Sequence, residues 1–138
     1  MKRVLLLEED GEGRATLARI LKKKGFNIIP AKDDAAAITV LASPMNIDLI
    51  IAGATERDRS EFLADVRTCR LDLPVIFLSD YCGPEARLRG LAFGPFSMSR
   101  TQNFYINVRP VAFHELDRLI RMVLSRHAGV SVHGLAAA

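Results

Sequence analysis

The chain has 138 residues, the size of one domain, with 49% apolar and 25% charged residues, an ordinary balance for a globular protein. No run of about 18 apolar residues occurs, which excludes a membrane-spanning helix of the usual kind. The net charge of +3 is mild and its cations are dispersed, so composition does not point to a nucleic-acid surface. After a basic tip, Val4 to Leu7 form a short apolar run that Glu8, Glu9 and Asp10 cut off, too soon for a signal-peptide core. That run reads as a strand buried on both faces. Leu17, Ile20 and Leu21 then mark one face of a helix that Gly25 stops, with Lys22, Lys23 and Lys24 suited to the negative end of its dipole. Phe26 to Ile29 predict a second strand. Asp33 and Asp34 can cap a helix running through Leu41, which Ser43 and Pro44 break. Asp48 to Ala52 predict the third strand, and Ser60 can open a helix carrying Phe62, Leu63 and Val66. Pro74 introduces a fourth strand, Val75 to Leu78. Pro84 suits the first position of a helix through Leu91, ended by Gly94 and Pro95. Phe104 to Val108 predict a fifth strand, and Pro110 precedes a last helix with Phe113, Leu116, Leu119, Ile120, Val123 and Leu124 on its apolar face.

Five strands alternating with five helices imply an α/β fold with a parallel sheet covered on both faces. Residues 1–127 make the expected domain. Residues 128–138, rich in small side chains, read as a flexible tail or linker. Cys69 and Cys82 fit neither a metal motif nor a disulfide framework, and His114, His127 and His133 are scattered, so no metal site is expected from them. A cytoplasmic location is the corresponding expectation.

In an open parallel sheet, chemistry collects at the carboxyl ends of the strands. The first strand is followed by Glu8, Glu9 and Asp10. Adjacent acids suit a hard cation such as magnesium, and they equally suit the positive end of a helix, so both readings stand. The fourth strand is followed by Ser79 and the fifth by Arg109 and Pro110. A hydroxyl and a cation near an acidic pocket suggest an anion or phosphoryl site.

These pieces together resemble the receiver domain of response regulators, over about residues 2 to 126. "VLLLEED" resembles the first strand with its acidic pair, and "LKKKGFNIIPAKDDAAAITVL" the following helix end, strand and helix. "DLIIAG" resembles the third strand, "DLPVIFLSDY" the fourth with its hydroxyl residue, and "VRP" the lysine-proline step after the fifth. The resemblance implies a flavodoxin-like (βα)5 three-layer sandwich with a five-stranded parallel sheet in the order 2-1-3-4-5. It also implies a role in two-component-type signal transduction rather than an enzyme's.

The chain departs from the family at the residues that matter most. The position of the phospho-accepting aspartate is Gly53, which has no carboxylate. Glu56 and Asp58, in the next loop, are the nearest acids for a shifted acceptor, and in-line transfer tolerates little misplacement. The acidic pair is Glu8 and Glu9, the extra methylene changing the reach towards magnesium, for which Glu9 is the candidate ligand. The lysine is Arg109, planar and bulkier. Ser79 alone is a standard choice. The switch position is Ile106, with Tyr105 on the opposite strand face. The segment between Gly94 and Arg109 is longer than receivers use, and its Phe96 and Met98 are candidate anchors for a partner.

The resulting expectation is a degenerate receiver, or pseudo-receiver. It would act through contacts with a signalling protein, an output domain or, as a homodimer, a second copy of itself, with no cofactor, no direct nucleic-acid contact and no membrane. Two alternatives are a small-ligand or anion sensor using Arg109 and Ser79, and a receiver phosphorylated on a shifted acid. A dinucleotide enzyme is disfavoured, because "GEGRAT" has Thr16 where the third glycine belongs and three acids precede it.

Overall fold

The structure is a computed structural model and describes residues 1–54, 60–79, 104–108 and 113–137. The side chains at positions 54, 60, 79, 104–108 and 127–137 are outside that description. In chain order the elements are β1 (Arg3–Leu7), α1 (Gly11–Lys23), β2 (Asn27–Ala31), α2 (Asp34–Ala42), β3 (Leu49–Ala54), α3 (Ser60–Cys69), β4 (Val75–Ser79), β5 (Phe104–Val108) and α4 (Phe113–Ala137). The five strands form one parallel sheet in the order β2-β1-β3-β4-β5, as expected. The predicted helix over 84–91 lies outside the described residues. Among these residues no helix is long and apolar enough to cross a membrane.

The continuous apolar runs of the central strands have a direct structural cause. Successive residues of a strand point to opposite faces, and here both faces are covered. Leu5, Leu7, Ile50, Ala52, Val75 and Phe77 pack on one side against α2 and α3, through Ala37, Leu41, Phe62, Leu63 and Val66. Val4, Leu6, Leu49, Ile51, Ile76 and Leu78 pack on the other side. There they meet Leu17, Ala18 and Leu21 of α1 and Leu116, Ile120 and Val123 of α4. Each fully buried side chain of this kind contributes about 1.5–3 kcal/mol.

The ends of the elements follow local chemistry. Asp10 is the N-cap of α1, its Oδ2 accepting from the Gly13 amide at 2.9 Å, and Asp33 caps α2 through the Ala36 amide at 2.8 Å. Helix α1 closes in a Schellman motif. The Phe26 amide donates to the Leu21 carbonyl and the Gly25 amide to that of Lys22, with Gly25 at φ 97°, a left-handed value that favours glycine. The cap therefore uses Phe26 as its apolar anchor, buried beside Leu21, and β2 starts one residue later than the sequence predicts.

β2 also runs past the predicted end, through Pro30 to Ala31. The Asn27 amide donates inward to the Lys2 carbonyl, and alternation turns the nitrogens of positions 28 and 30 outward. Since β2 is an edge strand, a proline at position 30 costs no ladder bond. At the other end of the chain, the helical backbone of α4 continues through 128–137, which the sequence reading set apart as a tail. Ala128, Ala136 and Ala137 are strong helix formers.

Candidate functional site at the carboxyl edge of the sheet

The register brings the strand ends to one edge. Leu7 pairs with Ala52, so Glu8 and Gly53 are the next residues of two adjacent strands. Gly53 pairs with Leu78, and Ala54 pairs with Ser79, which in turn pairs with Val108. The backbone positions of Glu8, Gly53, Ser79 and the end of β5 thus lie side by side. Arg109, Glu56, Asp58, Phe96 and Met98 lie outside the described residues. In β5, Ile106 is level with Phe77 and Tyr105 with Ile76. Phe77 and Ile76 belong to opposite cores, so positions 106 and 105 fall on opposite faces of the sheet.

Glu8 is the one buried charged residue among those described, at 8% exposure, whereas Glu9 and Asp10 are exposed. The Glu8 amide donates to the Ala31 carbonyl at 3.1 Å, which extends the β1–β2 ladder past its last pair. Its carbonyl accepts from Arg14 Nη1 at 2.7 Å. A Cβ placed on Gly13 would lie 2.8 Å from Asp10 Oδ2 and 3.5 Å from Glu8 Oε1. Both carboxylates therefore approach the first turn of α1, and a larger residue at position 13 would push the capping Asp10 carboxylate aside, while Glu8 would be left in ordinary contact. The acids of this edge face a helix N-terminus and its unpaired amides, where negative charge is favoured.

The sequence offered helix capping for the three acids without saying which one, and the cap is Asp10; Gly13 beside it and Arg14 as the cation of the edge were not picked out. The signal for Gly13 was an acid three residues before a glycine at a helix start. Arg14 had no local signal, because its acceptor is a backbone carbonyl six residues earlier that only the turn from β1 into α1 brings near.

Receivers of the usual kind hold magnesium between the acids after β1 and the acceptor carboxylate at the end of β3. Here β3 offers glycine. The Glu8 carboxylate lies towards Gly13, Glu9 is exposed, and a fixed guanidinium bonds the Glu8 backbone. Among the described residues no group of three or more His, Cys, Asp or Glu is placed to hold a metal ion.

No protein-family model matches the chain. It is 29% identical over 129 residues to an uncharacterised transcriptional regulatory protein, YbdJ, of Bacillus subtilis, covering 92% of this chain and 52% of that protein. It is 31% identical over 94 residues to the cell cycle response regulator CtrA of Brucella ovis, covering 67% of this chain and 40% of that protein. The chain thus spans about half or less of the length of these relatives. A response-regulator receiver domain from Clostridium thermocellum superposes with a TM-score of 0.75 at 14% identity, over 94% of this chain and 99% of that one. The order of strands, the two covered faces and the cluster at the carboxyl edge agree with that likeness: the chain has the receiver fold of the response regulators.

Proposed function

We propose that this chain is a receiver domain in two-component-type signal transduction that works without an acyl phosphate and acts through protein contacts. One observation carries the reading. β3 is in register with β1 and β4 up to its end, and the residue level with Glu8 and Leu78 is Gly53. A glycine offers no oxygen to phosphorylate. The Arg14–Glu8 bond adds support, since it places a permanent cation beside the acids that would otherwise call for a metal. The curated relatives are named as a transcriptional regulatory protein and a response regulator, and both extend well beyond the matched region. That supports an output domain or a separate signalling protein as the partner, with the receiver fold as the regulatory part and no catalytic step of its own.

The test is direct. The chain is incubated with magnesium and acetyl phosphate and its intact mass is measured, beside an ordinary receiver as positive control. The mass is expected to stay unchanged. A phosphoryl adduct mapped to Glu56 or Asp58 would overturn the reading in favour of a shifted acceptor. The anion-sensor alternative draws on Ser79 and Arg109 and rests on the sequence alone.

A further inference from the structure

From the carboxyl edge at Gly11 and Arg14, a groove of about 640 Å³ runs along α1 beside the edge strand β2. Four cations line it: Arg14, Arg19, Lys22 and Lys23. Among the described residues no acidic side chain lines it. Its floor is made of Ala15, Ala18 and Pro30, small or flat side chains that let another backbone come close. Arg19, Lys22 and Lys23 are exposed and enter no ion pair among the described residues, so their charge faces solvent uncompensated. The 3.6-residue period of α1 explains the stripe, since positions 11, 14, 15, 18, 19, 22 and 23 fall on one side of a helix.

We infer that this groove is a docking site for a short, extended, acidic segment of a partner protein. From Arg14 to Lys23 the helix rises about 13 Å, the length of about four residues of an extended chain. Arginine forks and lysine ammoniums suit carboxylates, and a field of one sign speeds encounter with an oppositely charged partner. Two observations favour a peptide over a nucleic acid. Among the described residues no aromatic side chain lines the groove, so bases have nothing to stack on. At its Gly11 end stand Glu9, Asp10 and Glu12, which repel a continuing polyanion but leave a short acidic segment undisturbed. Pro30 sharpens the mode of binding. With no outward N–H at that position, the edge is a poor template for strand addition, and charge and shape rather than ladder bonds must hold the segment.

The experiment uses the full chain and a fluorescent Glu/Asp peptide, with a Gln/Asn peptide of the same length, a DNA duplex and inorganic phosphate alongside. Anisotropy should show binding of the acidic peptide only, weakening as salt rises. R19Q/K22Q/K23Q should weaken it by about tenfold or more. Its thermal midpoint should fall only slightly, by the lost interaction of Lys22 and Lys23 with the C-terminal end of the α1 dipole, and unfolding should remain cooperative. Amide shifts in the native chain should cluster on α1 and β2. Peptide affinity untouched by the triple variant, shifts elsewhere, tighter binding of duplex or phosphate, or no binding at low salt would each overturn the proposal. Phosphorylation is not involved, so this outcome is independent of the acetyl phosphate test.

Discussion

At the scale of single residues, the carboxyl edge shows how one missing side chain changes the use of its neighbours. With Gly53 in β3, the acid Asp10 after β1 serves the start of α1. Asp10 bonds the Gly13 amide and Arg14 bonds the Glu8 carbonyl. Asp10→Ala should therefore cost about 1 kcal/mol of stability, read as a lowered denaturant midpoint with an unchanged slope. A second arginine has a structural role that is equally specific. Arg70 donates Nε to the Leu41 carbonyl at 3.1 Å, and Nη2 to those of Ser43 at 2.9 Å and Met45 at 2.6 Å. It thereby satisfies carbonyls left over where α2 ends. Arg70→Ala should cost about 1–3 kcal/mol. Arg70→Lys should recover only part of that loss, because an ammonium cannot span three acceptors as a planar fork does. Nearby, burial pulls the Arg67 guanidinium below its ordinary pKa, with Asp72 opposing the shift.

At the scale of elements, the edge strand and the last helix make opposite contributions. β2 is held on one side only, and Pro30 removes a donor from its free side. Pro30→Val should restore that donor and, with a β-branched side chain, raise concentration-dependent self-association, measurable by sedimentation velocity. No change with concentration would show that the groove beside α1 already protects the edge. Helix α4 covers one face of the sheet with Leu116, Ile120 and Val123, each without exposed surface. Burying three such side chains approaches the whole net stability of a domain this size. A chain ended before Phe113 should lose cooperative thermal unfolding. Arg121 ties the same helix to the α1 turn, lying 5.2 Å from the Phe26 ring centre and donating to the Lys24 carbonyl at 3.1 Å.

For the molecule as a whole, the proposed independence from metal and phosphate has a thermodynamic consequence. A ligand bound to the native state at a hundred times its Kd adds about 2.7 kcal/mol of stability, a shift of several degrees for a domain of this length. Millimolar magnesium should leave the thermal midpoint where it is. A clear rise would mean that a metal site forms at the carboxyl edge.

Apolar runs, capping acids and a glycine after a lysine run were enough to read off the described strands and helices and the cap at Gly25. These are local signals, carried by neighbours in the chain. Periodicity alone also implied a parallel sheet covered on both faces, and the likeness of the motifs to receivers supplied its strand order. The identity of Gly53 needed only a count along β3. What the sequence missed depended on contacts between distant segments. Phe26 leaves the strand because the helix cap uses it. Pro30 is tolerated inside β2 because the sheet places that strand at an edge. Arg14 reaches Glu8 because the chain turns back between β1 and α1. The groove likewise exists only because α1 packs beside β2. Four cations scattered over ten positions become one charged surface when helical period and sheet order set them together, and no stretch of sequence states that by itself.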